Sequence, residues 1–229
     1  GLSGSIEHPC WEGLGVDPLR FIIQDLLHGC HKFFWDHPAK WIASSIGVSE
    51  LDKRLIAQPK NNLQHFDSGI SHLSQTSGVD HRNLQKSVLN AMAGANGASG
   101  QVIKTIWSLL DYIYMAQYPL HTDETLQEMA TCLDAIHTNK AIFIWNGSRG
   151  DADHINTPKF HALPHFLDDM QINGVPINFT ANTPESLHIV MCKDPYNKTN
   201  RRNFEKQIIW ILDIQERVYL HAAYMAWRN

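Results

Sequence analysis

Between positions 101 and 117, apolar side chains recur three and four residues apart, at Ile103, Ile106, Leu109, Leu110, Ile113 and Tyr114, and Pro119 closes the run. That spacing sets them on one stripe of a helix and is incompatible with the in-out alternation of a strand. The same rhythm returns along most of the chain. From Asp17 to about 45 it passes through Leu19, Ile22, Leu26, Cys30, Phe33 and Trp41, with Pro38 as a kink or break. It returns over 48–55, closed by Pro59, and from Asp80, read as an N-cap, to Ala93, ahead of a small-residue loop at 94–100. Thr122 with Thr125 opens a helix predicted to reach Trp145, and Pro158 suits the first position of one running on to Met170. The last helix is predicted over 203–227, with Phe204, Ile208, Ile211, Leu212, Gln215 and Val218 on one stripe. Between these lie loops at 69–78 and 146–158, and a loop with a short strand at 172–186. The expected fold class is mainly α.

With 229 residues, 43% of them hydrophobic, the chain can bury a substantial core. Its formal charge of −4, from 19 basic and 23 acidic residues, excludes whole-surface attraction to nucleic acid or an anionic membrane, so any phosphate contact must be local. Cys10, Cys30, Cys132 and Cys192 form no CxxC pair, which argues against a zinc knuckle or a disulfide scaffold and for a reducing compartment. No apolar run approaches the ~20 residues of a membrane span, so no membrane partner is expected.

Three stretches carry candidate chemistry. In QDLLHGCHKFFWDH, Asp25 and His28 stand three apart and share a helix face, close enough for a carboxylate to hold a hard divalent cation and an imidazole to assist it. His31, Asp36 and His37 widen the polar side, and a surface or buried polar pair explains the same spacing. In the second stretch His154, His161, His165 and Asp168 could form a transition-metal site, or simply helix-lining histidines bonded to their neighbours. In the third, Thr183 reads as an N-cap that sets Glu185 in a first helical turn with His188 three residues on, where the helix dipole alone favours a carboxylate. Directly after it, Lys193, Lys198, Arg201, Arg202 and Lys206 make a basic cluster, diluted by Asp194 and Glu205; it fits a phosphate track or a solvated helix start.

Taken in order, five blocks resemble the transposases of fungal DNA transposons of the Plavaka type, relatives of the CACTA and KDZ groups. They are DLLHGCHKFFWDH, LDYIYMAQYPLHTDETL, INTPKFHALPHF, PESLHI and YNKTNRRNFEKQ, spread from about Asp17 to Val218. The resemblance implies a DD(E/D) transposase with an RNase H-like nuclease core, acting on the double-stranded DNA of transposon ends in the nucleus, with a homo-oligomer possible. Carboxylates would hold two Mg2+ or Mn2+ ions about 4 Å apart, one activating the attacking oxygen and the other stabilising the leaving one. On this basis Asp25 and Glu185 are metal ligands, His28 assists catalysis, and Lys193, Lys198, Arg201, Arg202 and Lys206 bind DNA. In the family the first catalytic aspartate lies on a strand ahead of the Asp25 element, which the 24 residues before Asp25 are expected to leave no room for; a glutamate that many relatives carry is Asn182. The expectation is a C-terminal fragment or degenerate copy, inactive in isolation. Positions 1–46 would be a partial core element with the Asp25 helix, 47–175 a helical insertion, and 176–229 the C-terminal core helices. The alternative is a non-catalytic helical module, derived from a transposase, that binds DNA or protein.

Overall fold

Helices supply every regular element of the described chain. The structure, a computed structural model, describes residues 11–17, 20, 22–60, 65–150 and 153–228, and among them there is no strand. Cys10 and Leu19 lie outside the described residues. The mainly α expectation holds, and the short strand expected within 172–186 is instead a 3-10 turn at Pro176–Phe179.

The chain divides into two compact units, 1–180 and 181–229. In the first, a π-helical segment at Leu27–Lys32 runs into α1 (Phe33–Asp36), followed by α2 (Pro38–Ile46) and α3 (Val48–Ile56). Then come α4 (Gly78–Met92), α5 (Gly100–Met115), α6 (Asp123–Asn139) and α7 (Ile142–Trp145), and finally α8 (Pro158–Ala162) and α9 (His165–Asn173).

Local chemistry explains most of these boundaries. Ser77 accepts from the Asp80 amide while the Asp80 carboxylate returns a bond to Ser77, a capping box that opens α4. Asp80 is therefore the third residue of the helix rather than its cap. Ser99 opens α5, and Thr122 opens α6 in a second capping box with Thr125. Pro38 begins α2, where its missing N–H costs nothing. Two long predicted helices are broken. The one expected to reach Trp145 ends at Asn139, with α7 as a separate turn, and the one expected through Met170 splits at Leu163 and Pro164. A third begins later than its pattern suggests: residues 22–25 are irregular, Ile22 is 61% exposed, and Asp17 lies in a loop.

The core of this unit draws on all of these helices. Phe33, Phe34, Ile42, Leu51, Leu84, Met92, Ile106, Ile113, Met129, Ile136, Phe143 and Phe166 are almost wholly buried in one cluster. α5 packs along α6, and the π-helical segment and α1 lie against α4. Burial of this kind contributes ~1.5–3 kcal/mol per large side chain. Gly29 lets the π-helical segment approach Phe166, since a Cβ there would stand 3.1 Å from the ring.

The second unit contains α10 (Asn182–His188), a π-helical segment at Ile189–Lys193, α11 (Asp194–Asn197) and α12 (Phe204–Arg228). α11 packs on that π-helical segment and on α12, with Pro195 buried and Tyr196 set edge-on to Phe204 at 5.0 Å. The predicted stripe of α12 is partly buried from Phe204 to Gln215, but Val218 is exposed, as are Trp210, Tyr219, Leu220 and Trp227. No helix among the described residues is long and apolar enough to cross a membrane.

Candidate functional site

Asp25 sits at the mouth of the π-helical segment, outside the helical run. Its Oδ1 accepts from the amides of Leu27 (2.8 Å) and His28 (3.1 Å), and its Oδ2 stands 3.0 Å from His28 Nδ1. The carboxylate thus satisfies two of the donors that every helix start leaves open. Asp25 and His28 are brought together as their spacing predicts, though by a cap and not by a shared helix face. Asp25 is half-buried and His28 more exposed.

The other polar residues of this stretch are absorbed by packing. His31 is buried, and its Nδ1 donates to Gln85 Oε1 at 2.8 Å; burial pushes its pKa down. Burial alone would raise the Asp36 carboxyl, but hydrogen bonds from Lys32 (3.2 Å) and Lys159 (3.3 Å) outweigh it and hold Asp36 below its usual range. His37 lies between Phe33 and Trp41, with ring centroids 5.8 and 6.1 Å away. Cys30 is fully buried, and burial, aided by the nearby Asp25 charge, keeps its thiol protonated.

Three of the five sequence blocks meet inside the first unit. Lys159 of INTPKFHALPHF pairs with Asp36 of the opening block, and Phe160 packs edge-on to Phe33 at 5.7 Å. Tyr112, from the second block, donates its hydroxyl to the Leu163 carbonyl at 2.6 Å. The HTDET portion of that second block forms the start of α6, with His121 Nδ1 3.1 Å from Thr125 Oγ1.

His154, His161, His165 and Asp168 do not assemble as a set. The break at Pro164 still leaves the His161 and His165 rings 5.3 Å apart and nearly perpendicular, but His154 and Asp168 lie at the surface, and His154 Nδ1 accepts from the Asn156 amide at 3.3 Å. Among the described residues no group of three His, Cys, Asp or Glu side chains is placed to hold a metal ion.

Glu185 occupies the first turn of α10 and is exposed; the helix opens at Asn182, so Thr183 lies inside it and does not cap it. Glu185 and Asp25 belong to different units. The basic residues form the best-defined surface feature of the second unit. All five are exposed: Lys193 ends the second π-helical segment, Lys198, Arg201 and Arg202 lie between α11 and α12, and Lys206 is in the first turn of α12. Arg201 (φ 63°) and Asn203 (φ 47°) adopt left-handed backbone, a conformation that costs ~1–3 kcal/mol per residue unless its surroundings enforce it. Gln207 supplies part of that enforcement: its Nε2 donates to Asn200 Oδ1 (2.7 Å) and the Arg202 carbonyl (2.6 Å), while its Oε1 accepts from the Asn200 amide (3.1 Å). The turn is therefore held in one shape with its cations outward.

No family model, curated protein or solved structure matches the chain. Function rests on these sites and on the resemblance of the blocks. Two features were illegible in sequence because they join distant positions: the His31–Gln85 bond, and a cleft around His137 and Lys140. The latter leaves one local trace, a histidine and a lysine three residues apart at a helix end.

Proposed function

We propose that this chain is a transposase-derived DNA-binding protein of the Plavaka type that meets the phosphate backbone through Lys193, Lys198, Arg201, Arg202 and Lys206. The observation that carries this reading is the turn around Arg201 and Arg202, whose backbone Gln207 holds through Asn200 and the Arg202 carbonyl while both arginines stay exposed. Five such contacts suffice for steep, salt-dependent binding. Resemblance of the blocks supplies the transposon ends as the DNA, the nucleus as the place of action and an RNase H-like core as the ancestral framework.

The ancestral reaction on this reading is two-metal-ion cleavage and strand transfer, with Asp25 and Glu185 binding Mg2+ or Mn2+ and His28 beside them. The donor set of the first unit fits this poorly. Asp25 spends Oδ1 on two amides and Oδ2 on His28, and among the described residues no group of three His, Cys, Asp or Glu side chains includes the pair. Binding is therefore the activity favoured here, and no catalytic step is assigned. A homo-oligomer belongs to the same reading, supported by the exposed apolar side chains of α12.

Fluorescence anisotropy with duplex DNA at 50 and 200 mM salt tests the proposal. Affinity is expected to fall at least tenfold between them, and the K198A/R201A/R202A variant to bind more weakly with a flatter salt slope. Binding indifferent to both would overturn it. Nicking of terminal-repeat DNA with Mn2+, abolished by Asp25→Ala or Glu185→Ala, would restore the catalytic reading.

A further inference from the structure

A cleft of about 560 Å3 opens in the first unit between the C-terminal end of α6 and the segment leading into α8. It lies within the ~300–1,000 Å3 range of small-molecule sites. Lys140 and His137 stand on one wall. The Lys140 ammonium donates to His137 Nδ1 at 2.9 Å and lies 4.8 Å from the centroid of the buried Phe160 ring. His137 in turn sits edge-on to the same ring at 5.6 Å. His161 is at the rim, and Pro158 and Pro164 supply an apolar wall. No carboxylate lies among the described residues that line the cleft.

The arrangement has a chemical consequence. Because His137 Nδ1 accepts from Lys140, the imidazole orients the ammonium and leaves two of its three N–H bonds for a ligand. Partial burial disfavours the charged forms of both Lys140 and His137, so an incoming anion recovers part of the cost of holding a cation there. The ring of Phe160 steadies the ammonium through its π face. The cleft is also much larger than an inorganic anion needs, and its proline wall suits the face of a flat, apolar body.

We propose that this cleft binds a phosphate monoester carried on a planar ring, the chemistry of a nucleoside monophosphate, with the phosphate on Lys140, which His137 positions, and the ring against Pro158 and Pro164. The site is separate from the basic turn of the second unit and does not rest on the DNA reading.

Isothermal titration of the full chain with adenosine 5′-monophosphate, adenosine and inorganic phosphate tests it. The monophosphate is expected to bind at least ~10-fold tighter than either half, since each contributes one side of the contact, and ~10-fold is 1.4 kcal/mol. Lys140→Met is expected to weaken the monophosphate at least ~10-fold, the scale of one charge-assisted hydrogen bond, whereas Lys140→Arg keeps it within about threefold. Circular dichroism establishes that each variant is folded. An NMR shift of the His137 ring on adding the monophosphate supports the proposal without any variant. No binding of the monophosphate at millimolar concentration overturns it, as does undiminished binding by folded Lys140→Met. Phosphate alone binding as tightly as the monophosphate refutes the ring contact.

Discussion

Asp25 holds His28 from both sides of its carboxylate: Oδ1 accepts the His28 amide at 3.1 Å, and Oδ2 meets the His28 ring at 3.0 Å. The residue singled out as a metal ligand is therefore also the cap that starts the π-helical segment. Loss of such a cap costs ~1 kcal/mol, or ~2–4 °C in a chain of this size. Asp25→Ala is expected to lower the thermal midpoint by about that much, and Asp25→Asn, which keeps an acceptor at Oδ1, by less. A metal-ligand role would add a second signature, an Mn2+-dependent rise in the midpoint that Asp25→Asn lacks.

His81 sets an acid limit on the first unit. It is buried against Trp35, with ring centroids 5.1 Å apart, and burial, reinforced by Lys32, lowers its pKa to about 4. The folded value lies below the ~6.5 of an unfolded histidine, so the unfolded state binds more protons between them. Stability is therefore complete above about pH 6.5 and is lost as pH falls toward 4, at up to ~1.4 kcal/mol per pH unit. Urea midpoints measured at pH 7, 6 and 5 are expected to fall in that order, less steeply in His81→Asn. The Asp36 carboxyl, held low by its lysines, loses its contribution only below this window.

Gly97 carries φ +86°, and a Cβ on it would collide with the Ser45 carbonyl. Strained backbone and a clash with another segment's main chain act together, so Gly97→Ala is expected to cost at least ~2 kcal/mol. Chemical denaturation measures this, and a loss under ~0.5 kcal/mol would contradict the close approach.

Tyr112 is fully buried, and its hydroxyl bonds the Leu163 carbonyl, tying α5 to the turn between α8 and α9. Tyr112→Phe removes that bond, while the Phe166 amide still donates to the same carbonyl at 3.2 Å, so the expected cost is that of one hydrogen bond, ~0.5–1.5 kcal/mol. The expected result is a lower urea midpoint with an unchanged slope, since the core volume is nearly preserved.

Gln207 bears no charge, yet it fixes the basic turn through Asn200 and Arg202. Gln207→Leu is expected to weaken DNA binding several-fold while leaving the salt slope as in wild type, because ordering is lost but phosphate contacts are not. A flattened slope would instead show that cations had been withdrawn.

Sequence by itself determined where most helices lie. Caps and apolar spacing act within about one turn, so the residues that decide the starts of α4, α5 and α6 sit beside one another: Ser77 with Asp80, Ser99 with Val102, Thr122 with Thr125. The exposed basic turn was legible for the same reason. What only the tertiary structure decided involves partners far along the chain. Packing against α4 and Phe166 accompanies the late helix start at Asp25, and Lys159 turns Asp36 from a spare acid into a structural one. Gln85 commits His31 to the core, and the return of Phe160 beside His137 and Lys140 creates a cleft that neither segment forms alone. Such contacts depend on burial and on distance in space, and neither is written in the local spacing of residue types.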